Sequence, residues 1–464
     1  MCVFTILSIL VSNPASASVD TLWSAVYGGD DDDGASAVVV DGEGNYVVAG
    51  HTYSFGSGYS DVWILKLDPQ TGDTIWSVIY GGSSSEGAED VVVAPDGNYI
   101  VAGYTYSYGA GGSDLWLLKV NSSDGSLIWS RTFGSADDDG AYSLAVDDSG
   151  YVIIAGYTTS APYRDGYLLK VDADTGGLIW SRVFGGSATD EIYAVVVDGN
   201  GDYVLAGRTN SPSGGYFDVW MMKVNPSGDV VWEKVYGSSM DDGAADVIVD
   251  NDGNYVVAGR AVFDVNDYND TWILKLEPVN GDTIWTRVFS TPEPEGATAI
   301  ALLEDGDYVV AGLTGINGSW DAWIMRLDQD GDSLWSVIYG GDESDGATSL
   351  AVDGSGNIVM SGYTNSFGSG FSDVWVLKLT QIVSSMESRV HPMKVIPISG
   401  GFVVRNSSRI DDMNVFIYSM DGKLLGQGSV VPGSSFRFQA MPGVYILRVM
   451  CCGTFRTGLI PILP

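Results

Sequence analysis

Seven tryptophans, Trp23, Trp76, Trp129, Trp180, Trp232, Trp285 and Trp335, recur at spacings of 53, 53, 51, 52, 53 and 50 residues. A period of that size is the mark of a solenoid or a propeller, because each unit is one supersecondary structure that cannot bury its apolar face alone. Within a unit, four short apolar runs alternate with turn signals. In the second they read GAEDVVVA, NYIVAGYT, DLWLLKV and SLIWSRTF, broken by PDG, YSYGAGGS and NSSDG. The runs are rich in Val, Ile, Tyr and Trp, and none has helical length or period. Four antiparallel strands per repeat make a propeller blade, lettered A (innermost) to D (outermost). The 61 glycines supply the turns. The predicted fold is therefore all-β, a seven-bladed β-propeller over residues 18–380.

The strand count predicts how the ring closes. The last C run, DVWVLKL, has no D run after it, and the first D run, LWSAVYG, has no blade before it. Pairing them makes the N-terminal strand the outer strand of the seventh blade and removes an exposed edge.

Both ends of the chain differ from the repeats. The run CVFTILSILV followed by SNPASAS has the form of a signal peptide ending at Ala15-Ser16-Ala17, so residues 1–17 are expected to be removed and the mature protein to be secreted or held at the cell surface. Losing Cys2 leaves only the adjacent Cys451 and Cys452, which cannot staple distant segments. Residues 381–388, QIVSSMES, read as a linker. Residues 389–464 carry 8 basic and 3 acidic side chains, whereas residues 1–380 carry 14 and 55. That reversal marks a domain boundary, and the runs MNVFIYSM, SSFRFQAM and GVYILRVM predict a small C-terminal β-sandwich. The strong negative charge of the repeats excludes a nucleic-acid binder.

The recurring W-x-x-x-[YF]-G, D-G-N, A-G-x-T and D-x-W-x-x-K elements, in that order across residues 22–380, resemble the SBBP repeat of bacterial seven-bladed propellers. That resemblance implies the fold and an extracytoplasmic setting, and brings no catalytic residue. The turn Asp172-Ala173-Asp174-Thr175-Gly176 before Trp180 is similar to the tryptophan-docking turn of quinoprotein propellers. Those have eight blades, so seven here argue against a bound quinone, and no organic cofactor is expected. In the C-terminal segment, Gly422, Lys423, Gly443, Val444 and Tyr445 resemble the sorting domain of type IX secretion cargo, which implies that export machinery as a partner. An ordinary accessory sandwich is the alternative.

Positions repeated in every unit are read first as blade geometry. Asp61, Asp114, Asp165, Asp218, Asp270, Asp321 and Asp373 open the C strands, and Lys66, Lys119, Lys170, Lys223, Lys275, Arg326 and Lys378 lie five residues on. These are expected to form structural ion pairs or hydrogen bonds between strands or blades. The Ala-Gly pairs of the B strands, such as Ala49-Gly50, are expected to let neighbouring blades approach near the axis. Aspartates of the A–B turns, such as Asp250, resemble calcium loops but have Gly at the fourth position, and read as hairpin turns.

Candidate sites lie where D–A and B–C loops should share one face. Six residues past the aromatic of each D strand stand Asp33, Glu86, Asp139, Asp190, Asp242, Glu295 and Asp345, expected as an acidic ring that binds divalent cations, calcium above all. Capping of local turns is the competing reading. The B–C loops carry aromatics, among them Tyr59, Tyr108, Phe263, Tyr268 and Trp320, suited to stacking on sugar rings. His51, Arg208 and Arg260 follow the Ala-Gly pair where other blades have Tyr or Leu, and are candidates for recognition by one side of the ring. With two histidines and no hydrolase or phosphate-loop motif, catalysis finds little support. The expected function is non-enzymatic binding or a structural role, with an extracellular ligand such as a polysaccharide. A carbohydrate-active enzyme using carboxylates on the same face is the alternative.

Overall fold

The computed structural model describes residues 19–380, apart from 161, 212–215, 263–268, 292 and 317, together with seven strands between 394 and 462. The repeats fold as four-stranded antiparallel sheets in meander order. In blade 1 the A to D strands are Asp33–Val40, Tyr46–Thr52, Asp61–Leu67 and Thr74–Tyr80. Burial explains their composition. B and C strands are covered on both faces and read as continuous apolar runs, whereas the D strand, half exposed at the rim, alternates.

The seventh sheet settles the architecture. Its order is Thr21–Tyr27, Asp373–Leu379, Ile358–Thr364, Asp345–Val352, so the first strand of the chain is the outer strand of the last blade. Trp23 pairs with Lys378 and Tyr27 with Val374. Seven blades close into one propeller. Its core is divided by blade junction: seven apolar clusters each join two neighbouring blades, the closing one combining Tyr46, Val48, Trp63 and Leu65 of blade 1 with Val359, Val374 and Val376 of blade 7.

Two features correct the sequence reading. Every A strand has a bulge, between Ala35 and Ala37 in blade 1. A Cβ on Gly50 would lie 2.0 Å from Gly34 O of that strand. The Ala-Gly glycine therefore serves close approach within a blade, not between blades. The C-strand lysines do form ion pairs, but not with the aspartates that open the same strands, which lie at the opposite end. Lys66 Nζ meets Asp41 Oδ2 of the A–B turn at 2.9 Å, and the Tyr99 hydroxyl of the next blade donates to the same oxygen at 2.7 Å. Blades 3, 4, 5 and 7 repeat this with Lys170–Asp147–Tyr203, Lys223–Asp198–Tyr255, Lys275–Asp250–Tyr308 and Lys378–Asp353–Tyr46. The other Asp41 oxygen accepts the Glu43 and Asn45 N–H groups, the hydrogen bonds of a hairpin turn.

The D-strand indoles also cross between blades. Trp23 donates to Pro69 O and Trp76 to Ser122 O, carbonyls in the C–D turn of the following blade.

The chain separates into two compact units, with residues 18–382 forming one. In the other, Lys394–Ile398, Gly401–Arg405 and Ser435–Gln439 pair in one sheet, and Leu424–Val430, Met413–Ser419, Gly443–Cys451 and Thr454–Ile462 in a second. The signal segment 1–17 and the linker 381–388 lie outside the described residues.

Candidate functional site

Hydrogen bonds sort the loops onto two ends of the ring. D–A loops join B–C loops, as where Tyr59 N–H donates to Ser84 O and Asp31 N–H to Ser54 Oγ. C-strand lysines reach the following C–D turn, as where Lys66 donates to Ser122 O.

The seven D–A acids do not stand open at a mouth. Six of them, all but Glu295, are at most 2% exposed. All but Glu295 are held by their own loops: Gly29 N–H donates to Asp33 at 2.9 Å, Gly82 N–H to Glu86 at 2.6 Å, Gly186 N–H to Asp190 at 2.7 Å and Gly341 N–H to Asp345 at 2.7 Å. Ser135 and Ser238 do the same for Asp139 and Asp242, and the Thr314 hydroxyl donates to Glu295. These are the bonds of turn-capping carboxylates.

Asp33, Glu86, Asp139, Asp190, Glu295 and Asp345 also face the aspartate that opens the C strand of the preceding blade. A Cβ on Gly81 would sit 1.5 Å from Asp61 Oδ1 and 2.9 Å from Glu86 Oε2, so both oxygens crowd one point that only a glycine leaves free. Gly340 holds Asp321 and Asp345 the same way, and Gly28 holds Asp373 and Asp33. Asp61, Asp321 and Asp373 each keep a buried Oδ1 without a hydrogen-bond partner. Burial and the facing carboxylate raise the pKa of all three. Calcium takes six to eight oxygens. Each junction offers one pair of carboxylates, and no group of three or more His, Cys, Asp or Glu side chains placed to hold a metal occurs among the described residues.

The aromatic candidates divide. Tyr108 packs on Trp116 at 5.5 Å, and its hydroxyl donates to Gly81 O. Tyr59 is 74% exposed, and Trp320 opens partly to solvent in the strand Ser319–Leu327. Phe263 and Tyr268 lie outside the described residues. His51 folds over Gly34, whose Cβ would come within 3.0 Å of His51 Cε1, and burial lowers its pKa against the pull of Asp33 and Asp32.

Arg208 and Arg260 fall into a group the sequence reading left incomplete. The residue paired with the position after the Ala-Gly pair is Gly34, Gly87, Gly140, Gly243, Gly296 or Gly346 in six blades and Glu191 in blade 4. That buried carboxylate accepts Arg208 Nη2 at 2.6 Å, Arg164 Nη1 at 3.0 Å and the Tyr193 hydroxyl at 2.7 Å. Burial would raise its pKa, but these donors outweigh burial and hold it below the usual glutamate value. Arg208 lies 4.2 Å from the centre of the Phe217 ring, and Arg164 4.0 Å from that of Tyr157. Arg260, exposed, forms no ion pair among the described residues. Aligning the seven repeats would have exposed Glu191 as the single non-glycine at its position.

Among known proteins, the family described as outer membrane protein assembly factor BamB matches residues 20–209, and a β-propeller domain of unknown function matches 303–332. The regulatory protein FlaEY of Caulobacter vibrioides is 28% identical over 197 residues, 37% of this chain and 20% of that protein. The chain thus spans about a fifth of the length of that curated relative. A Dyadobacter fermentans protein of unknown function superposes with a TM-score of 0.45 at 12% identity, covering 79% of this chain and 100% of that one. Sqt1 of Chaetomium thermophilum, bound to the N-terminus of ribosomal protein L10, gives 0.45 at 10% identity, with 96% and 100% covered. Likenesses this distant say nothing of function.

Proposed function

We propose that the chain is a secreted or cell-surface propeller that binds glycans through its D–A and B–C loop face and does not turn them over. The observation that carries this reading is the contrast between the buried carboxylates and the exposed aromatics of the loop face. The carboxylates repeated in every blade are committed to turns and junctions, while aromatics two residues before the C-strand aspartate, such as Tyr59 and Phe371, 74% and 66% exposed, stand open on the same face. Aromatic faces of this kind suit the apolar faces of sugar rings. The match to an outer membrane assembly factor supports an envelope setting. A glycan array run beside a polysaccharide degradation screen tests it. Binding without turnover is expected, and turnover would make the protein a carbohydrate-active enzyme instead.

Calcium and export enter as separate proposals. Calcium would be held by the paired carboxylates at the junctions. It should then raise the melting temperature beyond sodium at equal ionic strength, and Asp33→Asn, Asp139→Asn and Asp242→Asn together should abolish the difference. Equal shifts from the two ions would refute it. Type IX export through residues 389–464 requires that their removal strand the propeller in the periplasm, and unchanged surface delivery would show an accessory domain.

A further inference from the structure

The unit up to residue 380 has 14 cationic side chains against 55 acidic ones. Seven are the C-strand bases already described. Four more lie on D strands: Arg131, Arg182 and Arg287 donate to carbonyls of the neighbouring C–D turn, and Lys234 pairs with Asp282. These eleven occupy repeated structural positions. The three that remain, Arg164, Arg208 and Arg260, belong to blades 3, 4 and 5 and gather at one sector of the loop face. Chance placement would scatter them round the ring.

Their surroundings are as local as their charge. Glu191 bridges Arg164 and Arg208, and the Tyr193 hydroxyl lies within electrostatic reach of Glu191, Arg208 and Arg260. Tyr142 and Tyr193 fill the bulge positions of their A strands and lie 4.9 Å apart, centre to centre, with Tyr157 5.3 Å from Tyr142. The nearby acids Asp138 and Asp241 are engaged by the N–H groups of Ser113 and Phe217. The three guanidiniums outnumber the single carboxylate among them, and Arg260 has no hydrogen-bond or ion-pair partner among the described residues.

We infer that this sector binds a carboxylate-bearing sugar, a uronic acid unit, with Arg260 and the outer faces of Arg164 and Arg208 on the carboxylate and the half-buried Tyr142 and Tyr193 beneath the ring. The inference rests on the glycan-binding reading and deepens it. A planar guanidinium matches a planar carboxylate in a way a lysine does not. The acidic field of the rest of the unit repels further negative charge, so a single uronic acid unit within an otherwise neutral glycan is the charge pattern that can approach.

The test is titration calorimetry of the full chain with a panel of oligosaccharides carrying one uronic acid unit, their methyl esters and neutral oligomers of the same linkage, at low and high salt. The free acids should bind at least about tenfold more tightly than the esters and weaken with salt. Arg260→Gln should lose about tenfold in affinity for the acids with an unchanged melting temperature, because Arg260 is exposed and forms no ion pair among the described residues. Esters and acids bound alike, or an Arg260→Gln variant that binds like the parent, would overturn this site and leave the glycan reading standing. No binding to any saccharide would overturn both. An acidic peptide of matched charge bound as tightly would overturn the sugar assignment.

Discussion

Glu191 is where one side chain reorganises a repeated position. Removing its carboxylate strands two guanidiniums and a tyrosine hydroxyl. Both arginines keep partial access to water, so Glu191→Ala should cost about 1–2 kcal/mol, below the ~3–5 kcal/mol of a fully buried pair. Because the Glu191 pKa is held down, its stabilisation is present above the unfolded value near pH 4.3 and is lost as pH falls through the folded value. Melting curves from pH 3 to 7 on parent and variant should converge at the acid end. Asp90 works in the opposite sense. It accepts Leu144 N–H of the next blade at 2.7 Å, and burial with the charge of Asp246 raises its pKa to about 7. Its contribution is complete below about pH 4 and fades as pH rises through 7. Ser143 and Ser349 make the same link elsewhere without a charge, so Asp90→Asn should flatten the loss of stability between about pH 4 and 7. The site residues were only half legible in the sequence: Arg208 and Arg260 stand out by composition, whereas Arg164 acquires meaning only through the neighbouring blade.

At the scale of the blade element, the two ends of the C strand carry charges of opposite consequence. At the Lys66 end, Asp41, Lys66 and Tyr99 tie two blades with little access to water. Lys66→Met should cost about 3–5 kcal/mol, because it leaves a buried carboxylate without its cation. At the Asp61 end, two carboxylates face each other, and Asp61→Asn supplies a donor toward Glu86 while keeping an oxygen for Ser57 N–H. In a chelator at pH 7 this variant should melt at or above the parent temperature, and a clear loss would refute the facing geometry. Where the tie changes, the aspartate and the tyrosine change together: blade 6 has Leu303 for the aspartate and Ile358 for the tyrosine of blade 7, and its Arg326 turns to Asp305 and Asp307, whereas blade 2 has Ala94 and Val152 at those positions and keeps Lys119, which turns to Asp96. The repeated acids and bases were visible in the sequence, but their partners were not. Partnership depends on which strand end lies beside which turn, and a spacing of five residues along one strand separates its two ends.

For the whole molecule, closure rests on Thr21–Tyr27. Deleting residues 19–28 strips the last blade of its outer strand and leaves Asp373–Leu379 as an open edge. Aggregation or a large fall in melting temperature is expected, and a truncated protein that melts like the parent would refute this closure. This arrangement was legible from counting runs, since seven D runs around seven A, B and C runs admit one simple pairing. The closing strand has a mechanical side as well. It is antiparallel to its partner, and Thr380 N–H donates to Asp20 O, so the two free ends of the ring leave from the same corner. Tension applied between residues 19 and 380 therefore peels the pair open one hydrogen bond at a time instead of loading all of them together in shear. A ring held by seven shared junctions would yield to a pull at that single corner.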